Sequence, residues 1–149
     1  MVTSDAGEAP QAPDLLAEVC ARASAVNPAE SELICGFVSR YYGLSAPDSL
    51  RQRSADALLA TGLGHLEFAR VRAPRQSLLR WLDNSNAAAG DGLPSHAIET
   101  VVDDRPFLVD TLIRALRAAG ATVDWIVHHV ISVVSDAEDR FIFVADCTA

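Results

Sequence analysis

The stretch 101–136, VVDDRPFLVDTLIRALRAAGATVDWIVHHVISVVSD, limits most tightly how this chain can fold. It reads as the end of a strand, an acidic turn, an amphipathic helix, a glycine stop and a long apolar strand. A strand that enters a helix through a tight polar turn is a common frame for a small-ligand site. Almost nothing in the stretch can perform chemistry by itself.

The helix is argued residue by residue. Asp103 and Asp104 are N-cap types, whose carboxylates accept bonds from the orphan amides of a first turn. Pro106 suits the first helical position, where a missing N–H costs nothing. Phe107, Leu108, Leu112, Ala115, Leu116 and Ala119 recur at helical spacing and make one apolar face. Gly120 ends the helix in the left-handed conformation. Beyond it, Thr122–Val134 is rich in β-branched residues with apolar groups on both faces, as in a covered strand. Arg140–Ala145 alternates like a further strand, with Ser135–Asp139 as the hairpin turn, and His96–Val102 is the strand entering the helix. The order β-α-β-β is the first part of a ferredoxin-like unit.

Upstream the chain is helical. Pro13–Val26 is one amphipathic helix. Asn27 caps a second, with Pro28 at its first position and Glu30 completing a capping box. That helix carries Leu33, Ile34, Phe37, Val38 and Tyr41 on one side and stops near Gly43. Ala46-Pro47-Asp48 is a turn. Ser54 caps a third helix, to about Val71, with Leu58, Leu59, Leu63, Leu66 and Phe68 as core contacts. Gln76–Leu82 fits a short helix or a strand, with strand preferred, and Asn84–Pro94 is a loop. The expected fold class is therefore α+β: an acidic, Ala/Pro-rich disordered tail (1–12), a helical segment (13–75) and a partial α+β unit with an antiparallel sheet (76–149).

Composition narrows the function. At 149 residues the chain fits one domain or a small domain with a helical extension. No run approaches the roughly 20 apolar residues that cross a bilayer, and the N-terminus lacks the regions of a signal peptide. The net charge of −8 argues against nucleic acid or an anionic membrane as partner. All 12 basic residues are arginine, which excludes lysine nucleophiles, Schiff bases and lysine proton relays. Cys20, Cys35 and Cys147 are odd in number and form no CxxC pair, so they read as reduced thiols of a cytoplasmic protein.

The remaining motifs favour plain readings. His128 and His129 are adjacent on a strand, so they point to opposite faces and do not share a metal. Their first reading is that one is packed and hydrogen-bonded in the core. Gly62-Leu63-Gly64-His65 imitates a dinucleotide fingerprint, but Glu67 occupies the third glycine position and the segment lies inside a helix. Asp103 and Asp104 are caps and turn formers before they are catalytic carboxylates, and a ligand contact can coexist with capping. Tyr41, Tyr42, Trp81 and Trp125 read as packing residues. No serine or cysteine has a partner visible from spacing.

HAIETVVDDRPFLVDTLIRAL, preceded by RSADALLATGLGHLEFARVR, resembles the N-terminal region of the large bacterial NAD-specific glutamate dehydrogenases. The resemblance runs from about Phe37 to the C-terminus, with Asp104–Asp110 and Asp124–Val134 its most specific pieces. It departs at Arg105, where an apolar residue is expected, at Thr111, where serine is expected, and after Asn84, where proline is expected. The resemblance implies a helical lead-in and an ACT-like domain far upstream of the catalytic part, cut before the last helix and strand of that unit. It implies a parent that converts L-glutamate and NAD to 2-oxoglutarate, ammonia and NADH, with no catalytic residue and no cofactor in this chain. It further implies regulation or assembly as the role, with an amino-acid effector at the turn formed by Asp103, Asp104, Arg105, Pro106, Phe107 and Leu108. In that pose the ligand ammonium faces the aspartates and its carboxylate faces Arg105. The expected partners are the rest of the dehydrogenase and a second copy, the latter through an open edge at His96–Val102. The alternatives are a free-standing amino-acid sensor and a structural oligomerisation module.

Overall fold

The computed structural model describes residues 12–73, 75–86, 90–138 and 141–144. Four helices come first: α1 (Ala12–Val26), α2 (Ser31–Tyr42), α3 (Pro47–Arg51) and α4 (Ala55–Arg70). Two strands follow, β1 (Leu78–Asp83) and β2 (His96–Val101), then α5 (Leu108–Ala118), β3 (Val133–Ser135) and β4 (Phe141–Val144). The architecture is α+β, as the sequence predicts. The expected tail lies almost wholly outside the described residues.

The helix starts follow their capping chemistry. The Asn27 side chain accepts from the Glu30 amide, as a cap does. The Glu30 carboxylate, however, accepts from the Asn27 side-chain amide rather than its backbone N–H, which bonds the Ala23 carbonyl. The cap closes a 3₁₀ turn at Pro28–Glu30, and α2 begins one residue later. Ser54 Oγ accepts from the Ala57 amide at the start of α4. Ala46-Pro47-Asp48 is not a free turn but the entry to α3, with Pro47 at its first position.

The core belongs to the helices. Leu15, Val19 and Ala23 from α1 meet Leu33, Ile34, Phe37, Val38 and Tyr42 from α2, Leu50 from α3, and Leu58, Leu59 and Leu66 from α4. Tyr42 rather than Tyr41 is the fully buried tyrosine of α2, because its hydroxyl finds the Leu58 carbonyl at 2.9 Å. Leu63 and Phe68 are half-buried. Gly62 sits at the crossing of α2 and α4, where a Cβ would come within 3.0 Å of Val38 Cγ2. The GLGH motif is thus a packing motif.

The cysteine expectation is corrected. Cys20 and Cys35 form a disulfide between α1 and α2, and Cys147 lies outside the described residues. An odd count and the absence of CxxC hid a pairing that helix packing creates.

The sheet also differs from expectation. β1, the segment that sequence left between helix and strand, pairs antiparallel with β2 from Leu78↔Val101 to Asp83↔His96. One edge of His96–Val101 is therefore covered by an upstream strand, and the other has no strand partner among the described residues. β3 and β4 form a second antiparallel pair. The strand predicted over Thr122–Val134 is paired only from Val133 onward. Residues 121–132 form no regular element but alternate in burial, and Trp125, Val127 and Ile131 pack on the helical core. A ladder needs a neighbouring strand, and a helical surface occupies that place.

Helix α5 keeps its predicted stop and loses its predicted start. Gly120 has φ +85°; its amide bonds the Arg117 carbonyl and the Ala121 amide bonds the Leu116 carbonyl, a Schellman motif. The first turn begins at Leu108, with Pro106 and Phe107 in a turn before it. The expected apolar face is present in sequence, but none of the residues of α5 is buried.

Candidate ligand site at the strand–helix turn

Three anchors place this turn. Glu99 on β2 is only 7% exposed, and its carboxylate accepts from Arg80 Nε on β1. Arg80 also donates to the Gly64 carbonyl of α4 and lies over the Phe68 ring. His65 Nδ1 of α4 stands 3.5 Å from Glu99, at the outer limit of an ion pair and without a formed hydrogen bond. Burial pushes the Glu99 carboxyl up, but His65 and Arg80 outweigh it, so its pKa lies below the ordinary 4.5. Four residues on, Arg72 pairs with Asp103 and also donates to the Gln76 carbonyl ahead of β1. That guanidinium holds the Asp103 carboxyl below its usual range, with Arg105 and Arg75 adding to the effect.

These anchors change the role of the two aspartates. Neither caps α5: the N-cap residue is Phe107, which makes no side-chain cap bond. Phe107 adopts φ +64°, the left-handed region that a non-glycine residue enters at a cost of about 1 kcal/mol or more. Asp103 is drawn away to Arg72 because a full charge beside a guanidinium outbids an exposed helix amide. Asp110, in the first turn, supplies the negative charge that the helix start favours.

Beyond Asp103, the chain encloses a shallow cavity of about 270 Å³ lined by Asp104, Arg105, Pro106, Phe107, Leu108, Val109, Asp110 and His128. Five of the six residues singled out from sequence meet there, and Asp103 does not. Asp104 and Arg105 are exposed and form no ion pair among the described residues. His128 arrives from segment 121–132, on the face opposite Trp125 and Val127. Burial alternates with period two over 123–131 and turns it away from the core, but the sequence is apolar on both faces there and did not say which of the two histidines would point outward. His129 turns inward; burial, with His128 and Arg40 nearby, lowers its pKa. Two carboxylates, a guanidinium and an imidazole around a small cavity suit a zwitterion. Among the described residues no three His, Cys, Asp or Glu side chains gather as a metal set.

The family model for the ACT1 domain of glutamate dehydrogenase matches residues 37–148. The chain belongs to that family. No curated protein and no solved structure gave a significant match. The matched region of this ACT1 domain starts at Phe37, inside α2, so the family unit takes in α4 and Arg72 just beyond it, which anchors the turn. None of the described helices is long and apolar enough to cross a membrane.

Proposed function

We propose that this ACT1 domain is a non-catalytic regulatory segment of a large, cytoplasmic, bacterial NAD-dependent glutamate dehydrogenase, and that the cavity at Asp104–Asp110 holds an amino-acid effector. NAD and glutamate chemistry belong to the rest of the parent enzyme, with which the domain communicates. The observation that carries this reading is the convergence of Asp104, Arg105, Asp110 and His128 on one cavity in a member of this family. In the proposed pose, Arg105 receives the ligand carboxylate and an aspartate receives its ammonium.

Calorimetric titration of the chain with the common amino acids tests it. Heat of binding is expected for at least one ligand at millimolar concentration or below, with Arg105→Ala weakening it about tenfold or more, the scale of a charge-assisted hydrogen bond. Silence across the whole set at millimolar ligand would count against an effector site. A second reading, assembly through self-association, is favoured by the exposure of Leu79, Trp81, Ile126 and Val130.

A further inference from the structure

The Cys20–Cys35 pair plays no part in the effector reading and stands or falls apart from it. Cys20 lies on α1 and Cys35 on α2, with their Cα atoms 5.0 Å apart and 15 residues between them. Both side chains are half-buried, and the Ser39 hydroxyl lies 3.8 and 4.0 Å from the two sulfurs. The bond therefore lies at the rim of the helix pair, within reach of a small thiol, and not inside the core.

The remaining attachments of α1 are noncovalent. Leu15, Val19 and Ala23 pack inward. Arg22 bridges to Asp56 of α4, but that pair is largely exposed, and exposed pairs contribute little. The cross-link is the one covalent tie among them. Disulfides that persist as passive staples belong to oxidising compartments. In a reducing one they are usually transient and responsive.

We propose that Cys20–Cys35 is a reversible redox clasp that sets how firmly α1 docks on α2 and α4. A small thiolate attacks one sulfur and forms a mixed disulfide, releasing the other cysteine as a thiolate that takes up a proton. A second small thiol, as its thiolate, resolves the mixed disulfide, leaving two protein thiols and one small disulfide that carries away the oxidising equivalents. The reverse exchange with a small disulfide restores the clasp. Reduction loosens α1 and uncovers the faces of Ile34, Val38 and Leu58 beneath it.

The test uses the full chain carrying Cys147→Ser, so that the third thiol takes no part. Protein is equilibrated in glutathione buffers of graded ratio, alkylated and weighed, and hydrogen exchange is followed on the two end states. Two thiols and one disulfide should interconvert smoothly. Reduction should speed amide exchange in α1 by about tenfold or more and lower Tm by roughly 5–10 °C. Cys20→Ser should reproduce the reduced pattern in either buffer. Failure of glutathione disulfide to re-form the bond in the reduced protein, or α1 exchange that does not change on reduction, would overturn the proposal.

Discussion

Glu99 shows how one residue sets the conditions of the fold. A carboxylate 7% exposed is tolerable only because Arg80 and His65 meet it. Its folded pKa is depressed, so its contribution to stability is complete above the ordinary carboxylate value near 4.5. That contribution is lost as pH falls from there through the lowered folded value. Glu99→Gln should cost about 3 kcal/mol at pH 7, because it removes the charge that Arg80 pairs with and leaves the guanidinium the Gly64 carbonyl and the Phe68 ring. It should also flatten the acid limb of a plot of Tm against pH between about 5 and 3, relative to the unaltered chain. Thermal melts of both proteins across that range check the sign; a parallel decline would remove Glu99 from the acid response. Phe107 is the opposite kind of residue. It is 77% exposed in a left-handed backbone, so burial does not account for that conformation.

At the scale of elements, helices follow local chemistry more faithfully than strands do. The crossing of α2 and α4 depends on the missing Cβ of Gly62. Gly62→Ala should destabilise by roughly 1–2 kcal/mol despite alanine's better helix propensity, because buried Val38 has nowhere to retreat. A denaturant midpoint shifted down would show it, and a midpoint shifted up would mean that propensity wins. The caps at Asn27 and Ser54 and the stop at Gly120 were legible in sequence because each motif is closed within five residues. The start of α5 was not. Its expected cap, Asp103, is claimed by Arg72, 31 positions away, and no local rule reports that. Strand pairing failed for the same reason: Thr122–Val134 has strand composition, but its neighbours are set by tertiary placement. Likewise, spacing named five of the residues lining the cavity, whereas His128 comes from 18 positions beyond Asp110, in a stretch apolar on both faces that gave no sign which histidine turns outward.

For the whole molecule, the apolar inventory is divided unevenly. The helical layer holds nearly all of the fully buried side chains. The α5 face is only half-buried, and the outer side of the β1–β2 hairpin at Leu79 and Trp81 and the outer side of 121–132 at Ile126 and Val130 remain open to solvent. The proposed self-association therefore predicts a mass above that of the single chain in light scattering at high concentration. Trp81→Ser and Leu79→Ser together should return it to the monomer without lowering Tm by more than a few degrees. A monomer at every concentration would leave those faces to the rest of the parent enzyme.

The tie on β2 and the one just after it have a mechanical meaning. Glu99 is tied to Arg80, which reaches α4 at Gly64, and Asp103 is tied to Arg72 just past the end of α4. The chain is thus pinned at two points, and the cavity hangs from the second. Anything that tugs on the turn pulls on the end of α4 through charged tethers, while α5, with no fully buried residue, gives way like a slack rope.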